Sequence, residues 1–120
     1  MYNHIYEKSY VSFMETLSFF KAMADDTRLK VLMLLSLKGE LCVCDLQNAL
    51  EISQPKVSRH LAELRRNELL VDERRAKWVY YKLNPAMPAW MNDIISTSSQ
   101  NSHQYLEDCL SRLNSDCSNC

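Results

Sequence analysis

The stretch ELCVCDLQNALEISQPKVSRHLAELRR, residues 40 to 66, decides the fold. Leu46, Ala49 and Leu50 recur at helical spacing and mark a short helix. Glu51, Ile52 and Ser53 make a tight turn. Ser53 then caps a second helix, in which Pro55 is tolerated in the first turn and Val57, Leu61 and Leu64 face inward. Two short helices joined by three residues read as a helix-turn-helix.

Downstream, Leu70 to Arg74 and Trp78 to Leu83 read as two strands, with Arg75, Ala76 and Lys77 at the tip between them. In the second, Val79, Tyr81 and Leu83 alternate with Trp78, Tyr80 and Lys82. Upstream, Phe13, Leu17 and Phe20 recur at helical spacing and predict a first helix over about residues 10 to 23. Asp25 or Asp26 can cap a second helix with Leu29, Leu32 and Leu35 on its inner face, and Gly39 ends it. A final helix is expected to start near Pro88 and to carry Met91, Ile94, Ile95, Leu106, Leu110 and Leu113. The fold class is therefore mainly α with a β-hairpin wing, a winged helix-turn-helix. Residues 1–113 are expected to form one DNA-binding and dimerisation domain, and 114–120 a flexible tail containing cysteine.

With 120 residues, one Gly and three Pro, the chain suits a single, mostly helical domain with short connections. A domain this size buries only about two-thirds of its unfolded surface, so dimerisation would help it. No apolar run approaches the ~18 residues of a membrane span, and the start MYNHIYEKSY lacks the pattern of a signal peptide. The expected location is the cytoplasm, away from membranes. There the five cysteines are expected to be reduced, which points to metal or redox chemistry more than to a disulfide frame.

The net charge of -1 hides a division. From Gln54 to Lys82 the chain carries 8 Lys/Arg against 4 Asp/Glu, while the remainder is acidic. A basic segment on an acidic body presents one face to phosphates. Gln54, Lys56, Ser58, Arg59 and His60 lie in the N-terminal half of the second helix of the motif, the half that reads base edges in the major groove. Lys56 and Arg59 can equally hold phosphates, and His60 can serve packing or capping instead. Arg74, Arg75 and Lys77 at the wing are placed to reach a neighbouring groove or backbone.

Ala24-Asp25-Asp26-Thr27-Arg28-Leu29, Glu40-Leu41-Cys42-Val43-Cys44-Asp45-Leu46 and Ser53-Gln54-Pro55-Lys56-Val57-Ser58-Arg59-His60-Leu61 resemble the ArsR/SmtB family of metal-sensing repressors. Lys77-Trp78-Val79-Tyr80-Tyr81-Lys82-Leu83 and Pro88-Ala89-Trp90 extend the resemblance over roughly residues 15 to 95. Glu40 to Leu46 is similar to the metal-binding motif of the arsenic-responsive members. The resemblance implies a homodimer through the first and last helices. It implies repression of an operator, expected to be an inverted repeat, without any cofactor. It also implies release when As(III) or Sb(III) binds.

Cys42 and Cys44 are the expected ion ligands, since soft sulfur donors select soft ions. Placed on one regular helix, two positions apart, their thiols would point about 200° apart. An ion gripping both would then have to unwind the first turn of that helix and so shift the recognition helix. A helix N-terminus would also favour the thiolate. The arsenic-responsive pattern has a third cysteine three residues after the second, and here that position is Gln47. Either two sulfurs suffice, or Cys109, Cys117 or Cys120 supplies the third. A second departure is Ala76, where the family often has Gly. If that turn requires a left-handed residue, Ala costs on the order of 1 kcal/mol there.

The alternatives are a sensor of cadmium, lead or zinc, which needs a fuller ligand set, and a thiol redox switch. The second helix reads Val31-Leu32-Met33-Leu34, without the cysteine that sulfur-sensing relatives tend to carry. His103, Glu107 and Asp93 read as surface residues. No nucleophile-and-base constellation or phosphate loop is visible, so an enzyme is not expected.

Overall fold

The computed structural model describes residues 15 to 114. The first helix, α1, is described over 15–23, so its expected beginning at 10–14, with Phe13, lies outside the described residues. The spacing of Leu17 and Phe20 does not mark the buried face of α1. Phe19 and Ala22 are buried, whereas Leu17 and Phe20 are 44% and 48% exposed. Phe19 sets its ring edge-on to Trp90, centroids 5.3 Å apart, and Phe20 stands beside the same ring at 6.2 Å.

Helix α2 (Asp26–Lys38) starts at an Asp25 N-cap, whose carboxylate accepts the Arg28 amide at 3.0 Å. It stops at Gly39, whose φ of 86° only glycine adopts freely and whose N–H donates to the Leu35 carbonyl. Both ends agree with the sequence reading. Its interior does not show a single inner face, because Val31 to Leu35 are all buried. A helix buried all round is a central helix. It packs on the later helices and on the sheet, and it sets the frame for the rest.

The chain then makes a two-residue strand, β1 (Leu41–Cys42), that periodicity did not reveal. Helices α3 (Val43–Leu50) and α4 (Gln54–Arg66) follow, joined through Glu51, which caps α3 in left-handed backbone at φ 54°. Ser53 holds the N-cap position of α4 and Pro55 lies in its first turn, although the Ser53 hydroxyl makes no capping bond. Strands β2 (Leu70–Arg75) and β3 (Trp78–Leu83) form the wing, antiparallel, with Arg75 opposite Trp78 across a two-residue loop. The sheet order is β1-β3-β2, with Leu41 opposite Tyr81 and Cys42 opposite Tyr80.

The single final helix of the sequence reading is two helices, α5 (Ala89–Gln100) and α6 (His103–Asn114). Asn101 and Ser102 divide them. The Asn101 side chain donates to the Thr97 carbonyl at 2.8 Å, and the Ser102 carbonyl accepts the Leu106 amide at 3.0 Å, so the first ends and the second begins. The break lets α6 fold back. Tyr105 donates its hydroxyl to Asp26 at 2.6 Å, at the start of α2. Arg112 donates Nε to the Ala49 carbonyl at 2.8 Å, at the end of α3. Among the described residues, no helix is long and apolar enough to cross a membrane.

Candidate nucleic-acid interface and sulfur site

Val57, Leu61 and Leu64 fasten α4 to the core, which leaves the other side of the helix to solvent. Gln54, Lys56 and Arg59 are exposed and Ser58 is half-buried. Gln54 Nε2 donates to the Ser58 hydroxyl at 2.7 Å, linking two polar groups of that face. His60 is turned away from it. Its Nδ1 lies 3.8 Å from the Asp25 carboxylate at the α2 N-cap, and its side chain is 17% exposed. His60, expected on the same face, is thus more covered than Gln54, Lys56 and Arg59 and stands beside the α2 N-cap.

The wing divides its cations. Arg74 and Lys77 are exposed, and Lys77 stands over the Trp78 ring. Arg75 is engaged: its Nη1 donates to Glu40 at 3.0 Å, and Nη2 binds the other Glu40 oxygen and also Glu73, at 3.1 Å. Its guanidinium carbon lies 4.6 Å from the centroid of the Tyr80 ring. Arg75 holds the Glu73 carboxyl below its ordinary range, through its hydrogen bond first and its charge second. Of the three expected wing cations, Arg75 is thus paired with Glu40 and Glu73, whereas Arg74 and Lys77 take part in no ion pair among the described residues. Arg65 pairs with Asp72 and Arg66 with Glu63. Among the described residues Lys56, Arg59, Arg74 and Lys77 take part in no ion pair. These four cations lie on α4 and at the wing tip, so the basic excess is left where a duplex can meet it.

Cys42 lies outside the helix. Its backbone is extended, φ −86° and ψ 168°, and it holds the N-cap position of α3, while Cys44 occupies the first turn. The two Sγ atoms are 3.3 Å apart, beyond the ~2.05 Å of a bond between them. The expected 200° divergence is overturned, because it assumed that both residues were helical. Bringing these sulfurs together does not require unwinding α3.

Asp45, which sequence reasoning passed over, completes the group. Its carboxylate accepts the Cys42 amide at 3.2 Å, the reciprocal half of a capping box. The spacing Cys42-x-x-Asp45 was the signal that could have found it. One donor atom from each of Cys42, Cys44 and Asp45 lies within 4.8 Å of the others. Cys109 is not in this group: it is buried on α6. Cys117 and Cys120 lie outside the described residues. Cys42 is fully buried and Cys44 half-buried.

A helix-turn-helix with an exposed cationic face, flanked by a basic hairpin, defines a winged helix-turn-helix DNA-binding protein. Residues 25–71 match "Bacterial regulatory protein, arsR family". Over 94 residues the chain is 48% identical to "Arsenic resistance transcriptional regulator ArsR2" of Pseudomonas putida, covering 78% of this chain and 82% of that one. Over 85 residues it is 55% identical to "Arsenical resistance operon repressor" of Escherichia coli, covering 71% and 73%. In fold it is similar to the homodimeric winged helix-turn-helix DNA-binding domain of Mb0332 from Mycobacterium bovis. That likeness has a TM-score of 0.67 at 21% identity, covering 83% of this chain and 89% of that one. The chain belongs to the arsR family, and it is a DNA-binding transcriptional repressor rather than an enzyme.

Proposed function

We propose that this chain holds its operator through Gln54, Lys56, Ser58 and Arg59 of α4 and through Arg74 and Lys77 of the wing. It releases the operator when trivalent arsenic or antimony binds the sulfurs of Cys42 and Cys44. The observation that carries this is the 3.3 Å separation of the two sulfurs. Two bonds of about 2.3 Å meeting near a right angle span that distance, the geometry of a pyramidal centre. The relatives named for arsenic resistance point the same way. The protein acts as a homodimer. Leu17, Phe20 and Trp90, between 40% and 48% exposed on α1 and α5, supply the apolar patch expected at its interface. Two symmetric copies of α4 call for an operator that is an inverted repeat. DNA binding itself needs no cofactor, and the repressor works in the cytoplasm.

A gel-shift titration of the protein on its operator with arsenite, antimonite, cadmium and zinc tests this. Cys42→Ser and Cys44→Ser are each expected to keep operator binding. Each should raise the arsenite needed for half-release by about tenfold or more. A double variant that lets go at the wild-type arsenite concentration overturns the assignment.

A second reading rests on Asp45. Two sulfurs and a carboxylate oxygen suit a borderline cation such as zinc or cadmium, and the same titration decides. Release by cadmium or zinc below the arsenite concentration favours it. To serve as a ligand through Oδ2, Asp45 would give up the Cys42 amide.

A further inference from the structure

We infer that Glu40 and Arg75 form the link through which the sulfur site controls the wing. The inference rests on the proposed inducer reading and adds the route by which occupancy reaches DNA. Since the sulfurs already converge, the response cannot depend on unwinding α3 to bring them together. Cys42 is also part of the wing sheet. Its partner in the ladder is Tyr80 on β3. The ring of Tyr80 carries the guanidinium of Arg75, and that guanidinium is gripped through both nitrogens by Glu40. Glu40 stands two residues before Cys42, a reach of at most about 7 Å of chain.

Cys42, Tyr80, Arg75 and Glu40 thus close a ring of contacts that begins at a sulfur ligand and ends at the wing. An isolated surface ion pair contributes little. Here the pair is two-pronged, shared with Glu73 and backed by a ring, which fixes its geometry. Strand β1 is only two residues long, so an ion drawing on Cys42 shifts it at low cost. Glu40 carries that shift to Arg75, the last residue of β2, and so to the tip that holds Arg74 and Lys77. Arg75 is in this account a positioning residue and not a contact to DNA.

The test uses Glu40→Gln, which keeps the shape of the side chain and removes its charge. Three quantities are read: operator affinity without arsenite, the ultraviolet absorbance of arsenite bound to thiolate, and operator affinity with saturating arsenite. The variant is expected to bind operator within about threefold of wild type and to show the same absorbance. Its arsenite-induced loss of affinity should shrink by about tenfold, the ordinary size of an allosteric coupling. Glu40→Arg combined with Arg75→Glu is expected to restore part of that loss. Release of Glu40→Gln at the wild-type level, with wild type responding, overturns this inference alone. So does a lost absorbance band, which would make Glu40 part of the ion site. An operator affinity weakened beyond threefold does the same. If arsenite does not release the wild-type protein, the inducer reading falls first and the link falls with it.

Discussion

Ala76 sits at φ 55°, in the left-handed region, at the two-residue turn of the wing. For a residue with a Cβ that conformation costs roughly 1 kcal/mol, and glycine avoids the cost. Ala76→Gly is therefore expected to raise the unfolding free energy by about 0.5 kcal/mol, since the greater freedom of glycine in the unfolded chain offsets part of the gain. Urea unfolding measures it, and operator affinity should stay within twofold, which is about 0.4 kcal/mol. The sequence pointed to this position only through the resemblance, in which Gly often stands here, and it took three residues, Arg75 to Lys77, as the tip where the turn has two. The geometry of Cys42 was not legible in the sequence. Its side-chain direction depends on where α3 begins, and the helix begins one residue later than a continuous reading through Cys42 and Cys44 assumed. The surroundings of His60 were not legible for a related reason. Its neighbour there is the carboxylate of Asp25, 35 positions earlier in the chain and 3.8 Å away.

At the scale of elements, the buried spacing of α4 was readable from Val57, Leu61 and Leu64, and it places Arg59 on the open side. Arg59→Ala is expected to weaken operator binding by about 1–3 kcal/mol if the guanidinium reads a base, with specificity relaxed at one position. If it holds a phosphate, the loss is uniform across sequences and the slope of log affinity against log salt falls by about one. Gel shifts at several salt concentrations on matched and altered operators separate the two. Other elements escaped the sequence because their causes are not local. Strand β1 has two residues, too few to show alternation, and exists because β3 offers it a partner. The division of α5 from α6 turns on Asn101 and Ser102, which a helical pattern of apolar residues passes over. In α2 the apolar residues were correctly assigned to a helix. That the run Val31 to Leu35 is covered on all sides is a property of its neighbours.

Across the whole molecule, α6 acts as a brace between the central helix and the DNA-reading motif. Its Tyr105 is bonded to Asp26 at the start of α2, and its Arg112 to the carbonyl of Ala49 at the end of α3. The Asn48 amide returns a bond to the Arg112 carbonyl at 3.0 Å. One anchor of this brace titrates. The Tyr105 hydroxyl lowers the Asp26 carboxyl below its ordinary value of 3.8, against an upward push from burial, and Lys30 adds to the lowering by hydrogen bond and charge. A carboxyl whose folded value lies below its unfolded one contributes stability above the unfolded value and loses it as pH falls through the folded one. The charged form is the better acceptor for the tyrosine, and it also suits the first turn of α2. Asp26→Asn should therefore melt below wild type at pH 7, and the two melting curves should draw together as pH falls below 3.8. Because the Asp26 side chain is largely exposed, the difference at pH 7 should also narrow in high salt. A gap between the two proteins that stays constant from pH 7 to pH 2 would mean that the charge on Asp26 has no part in docking α6, and that the brace is held by its apolar contacts at Leu106 and Cys109.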